Sequence, residues 1–209
     1  MESHRSPTIV HGGQTEADEP FPENYPFDLI RDLDIHGRSV RFRPIYPGDN
    51  YRMIMLYNTF SQQTIYHRFF SYVRIPASRV KRFTTIDYQR HMALVAEEEK
   101  DGMPRLMGVA RYNTPKEETD TAEIAIVIGD PWQGQGVGTR LLRYLVEIAH
   151  SAGYEKLIGL VHYDNAAMPR VFRKIGVKYK KCDNGTEWRF EVFPGVPPEA
   201  PAETAKNAL

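Results

Sequence analysis

The sequence predicts a mixed α/β domain of about seven strands and about four helices, and three observations carry that prediction. First, residues 121–148 combine three signals. The β-branched run Ile124, Ile126, Val127 and Ile128 reads as a buried strand, and Gln133-Gly134-Gln135-Gly136-Val137-Gly138 as a turn. Apolar residues at 137, 141, 142, 145, 146, 148 and 149 then mark one face of a helix entered directly from that turn. Second, pairs of strand-like segments are joined by Asp101-Gly102 and by Asp183-Asn184-Gly185, the turn chemistry of hairpins. Third, a further strand-to-helix unit follows, with a strand over 156–161 and a helix opened by Asn165 and closed by Gly176.

Taken in order, residues 1–26 are acidic and rich in Pro and Gly, with little to bury, and are expected to be disordered. Phe27-Asp28-Leu29-Ile30 is apolar enough to dock without a stated partner. The alternation over 39–45 gives a first strand, stopped by Pro47-Gly48. Asp49 is placed to cap a helix running to about residue 60, and Ser61 a second running to about residue 72. These helices carry Tyr51, Tyr57, Phe60, Tyr66, Phe69, Phe70 and Tyr72, which at helical spacing read as core rather than as a ligand box. Arg68 reads as a solvated arginine rather than one that reaches a phosphate.

Strands over 92–96 and 106–112 follow, then the strand over 122–128, stopped by Gly129-Asp130-Pro131, and the helix that Gly153 ends. Pro169 falls in the first turn of the Asn165 helix, where its missing N–H costs little. Residues 177–182 and 187–193 complete the strands, and the Pro- and Ala-rich residues 194–209 are expected to be disordered. The domain is therefore placed at 27–193.

Composition narrows the function. With 41% hydrophobic and 26% charged residues the chain reads as an ordinary globular protein. No apolar run reaches the roughly 20 residues of a membrane helix, so no membrane partner is expected. The N-terminus has no apolar signal region and Cys182 is the sole cysteine, which together suggest the cytoplasm. The formal net charge is zero, but residues 1–26 hold one Arg against five acids, and the stretch 27–193 is left at +5. That bias suits a polyphosphorylated ligand and is too weak to argue for nucleic acid. His91, His150 and His162 show no metal spacing, and no metal is expected.

The glycine-rich turn is where chemistry enters. A helix N-terminus offers unpaired N–H groups and the positive end of the backbone dipole, which together attract an anion. Gly134, Gly136 and Gly138 remove the Cβ atoms that would hold a phosphate off, and no Ser, Thr, Asp or Asn stands at the junction to use the amides. The plainer alternative is a tight turn that uses glycine for close packing. The turn lacks the Gly-Lys-Ser/Thr ending of a phosphate loop and is one residue out of step with the dinucleotide fingerprint.

It does fit Gln/Arg-x-x-Gly-x-Gly/Ala through Gln133, Gly136 and Gly138, and so resembles the acyl-CoA pyrophosphate loop of the GNAT superfamily of N-acyltransferases. Asn165, Met168, Val171, Phe172, Lys174 and Gly176 resemble that family's second CoA-binding segment. More narrowly, residues 85–96, 108–112 and 122–138 resemble the acetyltransferase domain of Pat-type protein lysine acetyltransferases, a likeness that covers about residues 38–193. No synthetase-like or cyclic-nucleotide-binding module of the kind often joined to that domain is visible in the sequence.

The resemblance implies a mixed, mostly antiparallel sheet splayed between the fourth and fifth predicted strands to admit acetyl-CoA as cosubstrate. It implies that the backbone N–H groups of Gln133, Gly134, Gln135, Gly136, Val137, Gly138 and Thr139 hold the pyrophosphate. The edge of Ile126, Val127 and Ile128 would pair with the pantetheine and polarise the thioester carbonyl, with core packing as the plainer role of those side chains. Asn165, Met168 and Phe172 would line the second segment. A lysine amine, with a pKa near 10.4, must lose a proton before it attacks. The resemblance puts that task on Glu123, flanked by apolar residues, the plainer role being a solvent-facing strand glutamate. Many family members carry a tyrosine acid where this chain has Phe172, which leaves Tyr163, another tyrosine, or no side chain for the leaving thiolate. Asp130 reads as a turn residue and His150 as a helix-end residue. The expected activity is transfer of an acetyl group to a primary amine, most readily a protein lysine. A small-molecule amine and a non-catalytic acyl-CoA sensor are the alternatives.

Overall fold

The structure, a computed structural model, describes residues 19–73, 76 and 79–197. Its strands are β1 (Arg31–Ile35), β2 (Arg38–Pro44), β3 (His91–Lys100), β4 (Met103–Asn113), β5 (Thr121–Ile128), β6 (Lys156–Val161), β7 (Lys178–Asp183) and β8 (Trp188–Phe193). Its helices are α1 (Asn50–Tyr57), α2 (Gln62–Phe69), α3 (Lys81–Thr84), α4 (Val137–Ser151) and α5 (Met168–Lys174). The strands form one sheet in the order β1-β2-β3-β4-β5-β6-β8-β7. Every neighbouring pair is antiparallel except β5 and β6.

That exception organises the molecule. β5 and β6 pair in parallel only at Thr121↔Lys156, Ala122↔Leu157 and Glu123↔Ile158, and then diverge. The expected splay between the fourth and fifth predicted strands is this seam. On one side β5 is held along Gly108–Ile128 to Asn113–Glu123 by β4. On the other, β6 is held by β8, as at Gly159↔Phe190. α4 packs on β3, β4 and β5 and is the longest of the described helices, burying Val137, Leu141, Leu142, Tyr144, Leu145, Val146, Ile148 and Ala149. The apolar positions read from the sequence supply that face, and Tyr144 adds to it with a hydroxyl that donates to the carbonyl of Leu29.

The count of seven strands omitted β1, and the count of four helices omitted α3. The β1 sequence Arg-Asp-Leu-Asp-Ile alternates charged and apolar residues, but only Ile35 is buried. Its connection to β2 is His36-Gly37, with φ of 57° and 77°, a hairpin geometry usually announced by Asn-Gly. α3 is a single turn of four residues, too short to leave a periodic signal.

Asp49 stands at the N-cap of α1 but makes no side-chain cap. It is fully buried and instead accepts two 2.7 Å hydrogen bonds from Arg43 on β2, with Arg52 adding a third at 3.0 Å. Removing one partner of such a buried pair costs about 3–5 kcal/mol, so this network fixes α1 to the sheet. Ser61 caps α2 as expected, its Oγ accepting from the Thr64 amide at 3.2 Å. Phe70, with φ of 53°, then ends α2 by leaving the right-handed region.

The aromatic load of α1 and α2 is only partly core. Phe60 is buried, whereas Tyr51 and Tyr72 are 58% and 64% exposed. Of the expected loose N-terminal segment, residues 1–18 lie outside the described residues. Within the remainder, Tyr25 is buried and its hydroxyl donates to the Pro44 carbonyl at 2.8 Å. Of the C-terminal segment, residues 198–209 lie outside the described residues, and the Val196 carbonyl accepts from the Lys178 amide.

Candidate active site

Where β5 and β6 part, a cleft of about 730 Å³ opens between them, within the range occupied by bound ligands. Its outer end is the turn that the sequence singled out. Gly134 and Gly136 take φ of 73° and 81°, a region L side chains rarely adopt. Gly136 is the N-cap of α4, and no side chain caps that helix. Its first amides therefore keep their donors, and Gly134, Gly136, Gly138 and Thr139 all line the cleft. Gly138 is needed for a second reason. A Cβ there would come within 3.1 Å of Ile128 Cγ1, so the helix start lies hard against β5.

Gln133 also lines the cleft, and its side-chain amide is fixed by the Ile128 carbonyl at 3.0 Å and Thr64 Oγ1 at 3.1 Å. Gln135 and Val137 are not among the lining residues. Gln135 turns its amide to the Pro131 carbonyl at 2.6 Å, and the Val137 side chain is buried in the core. Their backbone groups remain part of the same turn. Arg140, which sequence reasoning passed over, lies one helical turn on, its guanidinium 2.6 Å from where a Gly136 Cβ would stand.

The cleft wall contributed by β5 includes Ile126, Val127 and Ile128. On the side facing β6 their backbone has no strand partner, because pairing with β6 stops at Glu123. The opposite wall carries Asn165, Met168 and Phe172. Asn165 Oδ1 accepts from the Met168 amide at 3.2 Å, so it organises the start of α5, which begins at Met168 rather than at Asn165. Phe172 is buried and stacked on Phe190, with centroids 4.2 Å apart.

Glu123 occupies the last rung before the strands separate, with Asn113 on one side and Ile158 on the other. Its apolar neighbours Ala122 and Ile124 are buried on the opposite face, so the carboxylate is exposed rather than enclosed, and it stands outside the cleft lining. Tyr163 is also away from the cleft. Its hydroxyl donates to Asp183 and its ring packs edge-on against Trp188.

The third wall is α2, a helix read from the sequence but not as part of the cleft. Asp130 is more than a turn residue, since it accepts from the Ser61 amide at 3.1 Å and the Thr64 hydroxyl at 2.7 Å and so hooks α2 to the end of β5. At the other end of α2, His67 Nε2 lies 2.8 Å from Asp164 Oδ1. The same oxygen is 2.6 Å from His162 Nδ1, and His162 Nε2 is 2.8 Å from the Tyr66 hydroxyl. With Nδ1–H donating to Asp164, the Nε2 of a neutral His162 accepts from Tyr66. The hydrogen bond from His162 does most to hold the Asp164 carboxyl below the usual carboxylate range, against the opposing effect of burial, and the hydrogen bond from His67 adds to it. α2 thus bridges the cleft from β5 to the segment after β6. Arg68, expected to be solvated, is half-buried and lines the cleft. Among the described residues no group of three or more His, Cys, Asp or Glu is placed to hold a metal ion.

Comparison with known proteins agrees with this geometry. A family profile described as the acetyltransferase (GNAT) family matches residues 55–177. The chain is 32% identical over 160 residues to the acetyltransferase PA5475 of Pseudomonas aeruginosa, covering 76% of this chain and 85% of that one. It is 29% identical over 149 residues to the acetyltransferase Pat of Mycolicibacterium smegmatis, covering 71% of this chain but only 44% of that longer protein. Among solved structures it is similar to the GNAT domain of S. lividans PAT, with a TM-score of 0.71 and 28% identity, covering 80% of this chain and 98% of that one.

Proposed function

The chain belongs to the acetyltransferase (GNAT) family, and from that premise we propose that it transfers an acetyl group from acetyl-CoA to a primary amine, most readily a protein lysine. The observation that carries the reading is the uncapped start of α4, which faces a cleft formed where β5 leaves β6 after three residue pairs. A diphosphate on the amides of residues 134–139, the Gln133 N–H being taken by the Asp130 carbonyl at 3.3 Å, would place the pantetheine along the unpaired side of Ile126, Val127 and Ile128. An N–H of that edge would then donate to the thioester carbonyl and stabilise the charge that develops on its oxygen.

In the reaction the amine nitrogen attacks the thioester carbonyl carbon, the C–N bond forms, the C–S bond breaks and CoA leaves as a thiolate. A lysine reaches that point only after losing a proton. Glu123, at the apex of the seam and open to solvent, is the residue we assign as base, acting through a water because its carboxylate stands outside the cleft lining. Phe172 offers no hydroxyl, and Tyr163 is engaged with Asp183, so the thiolate takes its proton from solvent. The likeness to Pat and PAT proteins supports a protein lysine over a small amine as acceptor.

The deciding experiment is incubation of the protein with acetyl-CoA and a cell lysate, followed by mass spectrometry for new acetyl-lysines. New acetyl-lysines that depend on the protein support the reading. Acetyl transfer confined to small amines would move the acceptor to that class. Consumption of no acetyl-CoA at all would sink the assignment.

A further inference from the structure

Among the described residues nothing balances the charge of Arg68. It follows Thr64 by one turn on the same face of α2. Thr64 is tied to Asp130 at the end of β5 and His67 to Asp164 after β6, so Arg68 stands on the stretch of α2 that crosses the cleft, and it lines that cleft together with Ala125. Its guanidinium packs on the ring of Phe69 at 4.9 Å and donates to no acceptor among the described residues, and none of their carboxylates lies within ion-pair distance.

The surroundings sharpen this. Arg111 on β4 stands opposite Ala125, a cleft-lining residue of β5. Its own guanidinium is engaged, donating to the Phe83 carbonyl at 2.6 Å and lying 5.0 Å over the Phe83 ring, again without a carboxylate partner among the described residues. Burial, then the charge of Arg111, pull the Arg68 pKa down to about 10, with Tyr57 opposing. Arg68 therefore stays a cation at neutral pH beside a second cation. Two half-buried like charges are costly unless a counter-ion joins them.

The position says which end of the ligand that counter-ion belongs to. Ala125 is three residues before Ile128, about 10 Å along a strand, and the phosphate-facing turn lies beyond Ile128. The phosphates are therefore at the other end, and the group nearest Arg68 is part of the reacting pair. A guanidinium fork matches a carboxylate with two parallel hydrogen bonds. We propose that Arg68, lining the cleft at the level where Arg111 stands opposite Ala125, binds a carboxylate carried by one of the two reactants, either the acyl chain or the amine acceptor. The inference rests on the acyl-transfer reading and specifies its substrate class.

The test has two arms. In the acyl arm, calorimetry compares acetyl-CoA with succinyl-CoA. In the acceptor arm, kcat/KM for acetyl transfer compares Nα-acetyl-lysine, whose carboxylate is free, with its amide. The unmodified protein prefers the carboxylate-bearing member of one arm by about ten-fold or more, and the arm that shows the preference identifies the source. Arg68→Gln erases the preference, and Arg68→Lys retains part of it. No preference in either arm, with acetyl-CoA still bound, overturns the subsite and leaves acyl transfer standing. Failure to turn over either lysine acceptor, together with equal affinity for the two thioesters, overturns it as well. A preference that survives in Arg68→Gln assigns it elsewhere and overturns the role of Arg68. If acetyl-CoA itself does not bind, both readings fall. Because the unmodified protein alone can decide against the subsite, poor folding of a variant does not shield it.

Discussion

The two ends of the cleft are built by opposite means. At the outer end the proposed recognition surface is main chain, with Gly134 and Gly136 at positive φ and the start of α4 uncapped. Away from that turn the groups are side chains, Arg68 and His67 from α2 and Asp164 from the segment after β6 on the cleft lining, and Glu123 from β5 just outside it. A main-chain site has to be contiguous in sequence, because the amides of a helix start come from consecutive residues. A side-chain site is free of that constraint, and here its parts lie up to 97 positions apart, as His67 and Asp164 do. In the proposed reading the first kind would select for phosphate with little regard for the group the phosphate carries, and the second would decide what reacts.

Three substitutions would break or sharpen that contrast. The largest effect is expected from Glu123→Gln, which removes a base at the inner end and leaves the outer end intact. Acetyl transfer at neutral pH slows about 100-fold or more, while calorimetry finds acetyl-CoA affinity unchanged. Turnover equal to that of the unmodified protein would remove residue 123 from the chemistry. Next comes Gly134→Asp, which sets a carboxylate against the incoming phosphates. A Cβ at Gly134 meets nothing within 4 Å, and Asp is among the residues that tolerate positive φ. The dissociation constant for acetyl-CoA therefore rises about ten-fold or more, as opposing one charge-assisted hydrogen bond requires, with only a small shift in thermal midpoint. Undiminished affinity would show that the anion sits elsewhere.

The smallest effect is expected from Asp164→Asn, which loosens the bridge between α2 and the segment after β6. The residue is exposed, and the KM for acetyl-CoA changes by no more than about two-fold. The pH dependence is the sharper readout. The folded carboxyl is held below its ordinary range by His162 and His67, so its contribution is present above the ordinary carboxylate pKa. It is lost as the pH falls through the lowered value. The difference in thermal midpoint between variant and parent therefore persists down to about pH 4 and closes below it. A difference that grows on acidification would contradict the assignment.

How much of this was legible in the sequence follows the same division. The strand over 122–128, the turn and the apolar face of α4 announce themselves because local backbone preference, side-chain period and burial all agree there. The pairing that stops at Glu123↔Ile158 entered through the family resemblance, since no residue in β5 or β6 signals where a parallel ladder ends. β1 was missed because its alternation is carried by charges. Asp49 was read as a cap because a cap is the local use of an aspartate before a helix, whereas its partner Arg43 is reached only through tertiary packing. Arg68 was read as solvated for a related reason. Nothing near it in the chain indicates that the end of α2 is folded over β5, or that Arg111 from another strand lies beside it.

The divergence of β5 from β6 has a consequence for self-association. A row of free N–H and C=O groups on the rim of a sheet is a template on which another polypeptide can polymerise. Here the stretch of β5 without a strand partner lies in the middle of the sheet, faced by a second wall and roofed by α2. A strand from another molecule would have to pry the two half-sheets apart to lie along it, whereas a slender, unbranched thread can slip in from the end. The same backbone groups that would be an aggregation hazard on the perimeter are, in this position, shielded from the addition of another strand.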